Sequence, residues 1–145
     1  MLHLEGDRDF PRPPAELWAK LTDARFLVQC IPGVESVARA EPDAAEWTLR
    51  PGVSFVRGTL DVSLRVVEAV ANTSARLLVH SKGIGSTADV EANLTFAPQG
   101  TGTRVHWTVD ITSLGGLLKA VPQGLVQASA QKVVTDAWTA VEAKL

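Results

Sequence analysis

Apolar and polar positions alternate from the start of the chain. Leu2, Leu4 and Phe10 share a parity, so residues 2–10 read as a half-buried strand. Pro11, Pro13 and Pro14 stop it. Proline is tolerated in the first helical turn, and a short helix is expected over 15–23 with Leu17, Trp18 and Leu21 on one side. A second short helix over 25–30 must end before Pro32, because the residue preceding a proline is pushed away from helical angles, and Gly33 completes the stop. From Val34 to Thr112 the period becomes two. Strands are expected at 34–41, 45–51, 54–69, 74–82, 86–97 and 103–112. The breaks are Glu41-Pro42-Asp43, Pro51-Gly52, Ala71-Asn72-Thr73, Gly83-Ile84-Gly85 and Pro98-Gln99-Gly100-Thr101-Gly102, each holding residues that supply turn geometry. Beyond Gly115-Gly116, read either as flexible punctuation or as a hinged entrance whose Leu117, Leu118 and Val121 touch a ligand or a membrane surface, Leu118, Val121, Leu125, Val126, Val133, Ala137 and Val141 recur at helical spacing. They predict one long helix to Leu145, kinked or restarted near its beginning by Pro122.

Short connections between consecutive strands imply an antiparallel meander. The apolar face of a seven-stranded sheet must be covered, and the long terminal helix is the element large enough to do so. The expected fold is therefore α+β: a seven-stranded antiparallel sheet curled around a long C-terminal helix, with two short helices after the first strand. A chain of 145 residues has length for one such core, so residues 1–145 read as a single domain.

Strand parity then separates the two faces of the sheet. One face collects Trp47 and Leu49, then Val56, Leu60 and Leu64, then Leu77 and Val79, Val90 and Leu94, and Trp107 and Val109. The other collects Arg57, Asp61, Arg65, His80, Asp89, Glu91, Arg104, His106 and Asp110. Phe26 and Ile31 from the short helical segment, and Leu118, Val121 and Leu125 from the closing segment, complete a candidate apolar lining. General acid–base chemistry needs a titratable group beside the substrate, and the inner parity offers little beyond Ser81. Arg57 and Arg8 are the candidate exceptions. An apolar ligand gains about 0.8 kcal/mol per buried methylene, so such a lining reaches micromolar affinity with few hydrogen bonds. The competing reading of the same face is a solidly packed interior.

Composition narrows the classes of function. Hydrophobic residues make up 46% and charged residues 21%, which argues against disorder. The net charge of -2 leaves no basic face of the kind phosphate contacts require, and no nucleic-acid partner is expected. Cys30 is the only cysteine, so no internal disulfide forms, and without a neighbouring cation to stabilise a thiolate it reads as a small buried hydrophobe. His3, His80 and His106 have no metal-ligand spacing. A strand intervenes between His80 and His106, separating them by about 10 Å, so no metal site is expected. Lys82-Gly83-Ile84-Gly85-Ser86 lacks the pattern of a phosphate-binding loop and lies between strands, which makes it a hairpin loop and a candidate pocket rim. Trp18, Trp47, Trp107 and Trp138 are core candidates, and Trp47 and Trp107 could also stack a planar ligand. The opening MLHLEGDRDF has no apolar signal segment, and no run approaches the roughly 18 residues a membrane helix needs, so a cytoplasmic location is expected.

Phe10-Pro11, the run Leu17-Trp18-Ala19-Lys20-Leu21-Thr22-Asp23, and Cys30-Ile31-Pro32-Gly33-Val34-Glu35-Ser36 together resemble the CoxG family of carbon monoxide dehydrogenase subunits. That family belongs to the START-like (SRPBCC) superfamily. The likeness continues through 83–94, Gly102-Thr103-Arg104, Gly115-Gly116, Gly124 and Ala130-Gln131-Lys132. It implies a helix-grip fold around a hydrophobic cavity, no cofactor held by the domain itself, and an accessory role beside a molybdenum hydroxylase of the carbon monoxide dehydrogenase type or another oxidoreductase. It also implies handling of a lipid or quinone-like molecule. Some relatives continue into an apolar or amphipathic tail, whereas this sequence stops at Leu145, so at most peripheral membrane contact is expected. Non-catalytic binding or carriage of a hydrophobic small molecule is the leading expectation. A polyketide cyclase or dehydratase-like enzyme using the same cavity, and an interaction module with a filled core, are the alternatives.

Overall fold

Prolines and a polar cap shape the helical segment that follows the first strand. The computed structural model describes residues 2–31, 33–50 and 58–145. Strand β1 (Leu2–Phe10) leads into α1 (Pro14–Leu21) and α2 (Ala24–Gln29). Pro14 takes the first position of α1, where its missing N–H has no partner to lose. Asp23 caps α2: its Oδ1 accepts from the Arg25 backbone N–H at 2.9 Å, and the Arg25 guanidinium donates to the same carboxylate at 2.8 and 3.0 Å. That guanidinium holds the Asp23 carboxyl below its ordinary value of 3.8. A depressed folded-state pKa gives stability that is present above about 3.8 and lost as pH falls through the lower folded-state value. Asp23→Ala is expected to cost about 1 kcal/mol near neutrality. Urea titrations of both proteins should show that difference shrinking as acid protonates the carboxylate.

The remaining elements are β2 (Val34–Ala40), β3 (Ala44–Leu49), β4 (Leu60–Val70), β5 (Ser74–Gly83), β6 (Ser86–Gln99), β7 (Gly102–Gly116), a 3-10 turn at Leu117–Ala120 and α3 (Gln123–Lys144). The strands form one sheet in the order β1-β7-β6-β5-β4-β3-β2, with every neighbouring pair antiparallel. This is the expected α+β architecture. Of the strand expected at 54–69, β4 supplies the part from Leu60 onward; Val56, Arg57 and the Pro51-Gly52 break lie outside the described residues.

One expectation needs correction. Gly115 and Gly116 are not flexible punctuation but the last rungs of β7, opposite Thr87 and Ser86. The cause is a β-bulge at Thr112: Val90 faces Ile111 while the preceding Asp89 faces Ser113. An extra residue reverses the alternation, so Leu114 takes the inward parity and the strand continues past its apparent end. Close packing explains the glycine at 116, where φ is +62° and a Cβ would lie 1.8 Å from the Gly85 carbonyl oxygen. Pro122 restarts rather than kinks the helix: it sits at the N-cap of α3, after the 3-10 turn.

The interior is filled most completely toward the C-terminal half of α3. There Phe10, Leu17, Leu21, Leu94, Phe96, Val105 and Trp107 pack with Trp138 and Val141. The Trp138 ring lies 5.8 Å from Phe10 and 6.5 Å from Trp107 between centroids. Trp107 faces Gly6 in the β1–β7 register, and a Cβ there would stand 2.8 Å from its Cζ2, so glycine lets the indole lie across β1. A second cluster packs Ala24 and Val28 of α2 on Ala45, Trp47, Val62 and Leu64, and a third joins Leu2, Ile111 and Val126.

Candidate functional site

Successive rungs of the inner face differ in how well they are covered. The rung Gly6–Trp107–Leu94–Ala75 lies in the packed end, with its three side-chain-bearing members buried. Next comes Leu4–Val109–Ala92–Leu77–Val66, whose members still pack in or against the same cluster, and at the other end Leu2–Ile111–Val90–Val79–Leu64. In these rungs Val109, Ala92, Val90 and Val79 are only half-buried although they point inward, and so is Leu60 on β4. At this end a groove of about 430 Å³ opens between β7 and the start of α3. Its apolar wall is Leu2, Ile111, Leu114, Leu118, Val121 and Val126, and its polar members are Thr112, Ser113, Lys119 and Gln123.

The expected lining residues are distributed over these regions. Leu118 and Val121 line the groove, and Val90 packs beside it. Val79, Leu49, Leu60 and Ile31 are half-buried against the α2 cluster, which holds Trp47 and Leu64. Leu77, Leu94 and Trp107 belong to the packed end, with Val109 and Phe26 partly buried against it. Leu125 is exposed on the first turns of α3, and Val56 lies outside the described residues. Alternation alone does not find Leu114, because the Thr112 bulge hides its parity. The groove wall also includes Leu2 and Ile111, whose alternation marks them as inward but not as accessible.

Polar groups on the inner side are few. Ser81 is half-buried there, one rung beyond Val79. Thr103 is buried, and its hydroxyl donates to the Arg12 carbonyl at 2.7 Å. Arg8 shares the parity of Leu4 and Phe10 but reaches out of the interior to Glu142 of α3 at 2.8 Å. Among the described residues the buried indole N–H groups of Trp47 and Trp107 find no acceptor, whereas that of Trp18 donates to the Ser74 carbonyl at 3.1 Å.

Ionisable side chains pair across strands on the outer face. His3 contacts Asp110 at 2.5 Å and Glu5 at 3.0 Å, His80 contacts Asp89 at 2.6 Å, and His106 contacts Asp7 at 2.9 Å. Glu5, and then Asp110, raise the His3 pKa above its ordinary 6.5. Arg104 pairs with Asp9 at 2.8 Å, and Arg76 with Glu91. Among the described residues no group of three His, Cys, Asp or Glu is placed to hold a metal ion. Cys30 is buried, and burial pushes its thiol pKa up against the opposing pull of Lys144, which disfavours the nucleophilic thiolate.

A seven-stranded antiparallel sheet gripping a C-terminal helix, with two short helices after its first strand, is the START-like fold. A START superfamily protein from Mycobacterium smegmatis superposes with a TM-score of 0.71 at 13% identity, covering 98% of this chain and 95% of that one. A conserved protein from Geobacillus kaustophilus gives 0.86 at 23% identity over 99% and 94%, and a protein from Thermus thermophilus gives 0.65 at 19% over 97% and 94%. At these identities the likeness speaks for the fold. The chain belongs to the CoxG family of carbon monoxide dehydrogenase subunits, whose model matches residues 6–145. No curated protein matches it. Among the described residues no helix is long and apolar enough to cross a membrane.

Proposed function

We propose that this protein binds and carries a hydrophobic small molecule, lipid or quinone-like, between the inner face of its sheet and α3. In this reading it is a non-catalytic accessory of a molybdenum hydroxylase of the carbon monoxide dehydrogenase type, or of another oxidoreductase, in the cytoplasm. One observation carries the proposal. An apolar groove opens beside the start of α3, inward-pointing Val79, Val90, Ala92 and Val109 are only half-buried, and the ionisable strand side chains of the described residues face the opposite way or, as with Arg8, leave the interior. An apolar surface that folding leaves uncovered gains about 25 cal/mol per Å² when a ligand covers it. Membership of the CoxG family supports the partnership with an oxidoreductase. Cyclase-type chemistry would need ionisable groups converging inside, and Ser81 alone does not supply them.

Native mass spectrometry and titration with decylubiquinone test the reading. The expected result is a co-purifying hydrophobic molecule, or saturable binding in the micromolar range that Val90→Trp weakens at least tenfold while the far-ultraviolet spectrum is unchanged. A wild-type protein that neither retains such a molecule nor takes up quinone or fatty-acid probes would contradict it.

A further inference from the structure

The hairpin between β5 and β6 closes through a two-residue loop, Ile84-Gly85, in which both residues have positive φ, +57° and +71°. Such loops carry Asn, Asp or Gly, because a β-branched side chain crowds its own backbone at positive φ. Isoleucine is among the residues least suited to this position, and burial does not compensate: Ile84 is 40% exposed, with its side chain alongside Gly58. Beside the loop, Leu117 donates its backbone N–H to the Gly85 carbonyl at 3.1 Å and lays its side chain over Gly85 while remaining 65% exposed. Both side chains stand beyond the last rung of the sheet, Gly83–Ser86–Gly116. Leu117 directly precedes Leu118, which lines the groove together with Val121. Among the described residues, folding gives no reason for an isoleucine in this turn or an exposed leucine next to it.

We infer that Ile84 and Leu117 are ligand-contacting residues: they form a lip against which the apolar chain of the bound molecule rests where it leaves the groove. The ligand class is then a chain-bearing hydrophobic molecule whose chain is longer than the groove can cover. This rests on the ligand-binding reading above. The probe is cis-parinaric acid, a fluorescent fatty acid, offered as monomer in buffer and, separately, from phosphatidylcholine vesicles with and without phosphatidylglycerol. Ile84→Asn supplies the residue the turn prefers and should raise the melting temperature by roughly 2–4 °C. Yet it should weaken probe affinity about tenfold, the worth of roughly two methylenes of lost contact. Leu117→Ser should give a similar loss with little change in melting temperature. Saturable wild-type binding with unchanged affinity in both variants would overturn the lip and leave the ligand reading standing. Absence of wild-type binding would remove the ligand reading, and the lip with it. A loss seen only when the probe comes from vesicles containing phosphatidylglycerol would mean that these side chains, flanked by Lys82 and Lys119, meet a bilayer instead of the ligand, and would also overturn the inference.

Discussion

Leu77→Asp and Leu94→Asp are each expected to abolish the folded state, whereas Leu78→Asp, one residue along the same strand as Leu77, is expected to change stability by no more than about 0.5 kcal/mol. Leu94 and Leu77 are 6% and 7% exposed on the inner face, and both belong to the cluster that packs against Trp107 and Trp138. Removing the leucine side chain alone costs about 2–5 kcal/mol, as Leu94→Ala should show. Aspartate adds an unpaired charge with no cation beside it, worth several kcal/mol more or a strongly raised pKa. The sum approaches or exceeds the roughly 5–15 kcal/mol that hold a domain of this size together. Leu78 sits on the opposite face and is 38% exposed, so an aspartate there keeps its hydration. Circular dichroism and urea titration of the four variants would check this. Equal behaviour of Leu77→Asp and Leu78→Asp would show that the two faces of β5 have been exchanged.

The alternation that makes this contrast possible was legible in the residues alone, and so were the element order and the meander. Val105, Trp107 and Ile111 alternate with Arg104, His106 and Asp110 on β7 because one face meets packed side chains and the other meets water and the acids of β1. Three features were hidden for physical reasons. A β-bulge leaves no signature beyond a broken period, so the Thr112 bulge concealed both the final rungs of β7 and the inward position of Leu114. Another bulge, at Val67 opposite the Leu77–Arg76 step, shifts the end of β4 in the same silent way. Degree of burial was also out of reach. Parity says which way Val79, Val90 and Leu94 point, but not that Leu94 is buried while Val79 and Val90 are only half-buried. The glycines tell the same story in reverse. Gly6 and Gly116 read as gaps in the pattern, yet each marks a close approach, of an indole ring in one case and a carbonyl oxygen in the other.

Trp138→Ala is expected to cost about 3–5 kcal/mol, because Trp138 is the largest of the side chains that pin α3 to the sheet. Of the 22 residues of that helix, only Val126, Trp138 and Val141 are buried. Val126 fixes its beginning against Leu2 and Ile111, and Trp138 with Val141 fixes its end against Phe10 and Trp107. Between these points Ala130 and Val134 are half-buried and Val133 is 42% exposed. A helix pinned in this way, with the groove opening beside its first turns, suits the carrier reading, because a ligand there adds contacts that folding leaves unmade. Trp138→Phe, which keeps a ring against Phe10, should recover much of the loss, and Val133→Ala should stay within about 0.5 kcal/mol of wild type. Urea midpoints with and without decylubiquinone join the two questions. A ligand at about a hundred times its Kd adds about 2.7 kcal/mol to any variant that still binds it. Stabilisation of Trp138→Ala by that amount would separate the packed end from the binding end, whereas equal costs for Trp138→Ala and Val133→Ala would show that α3 is not pinned where the aromatic contacts place it.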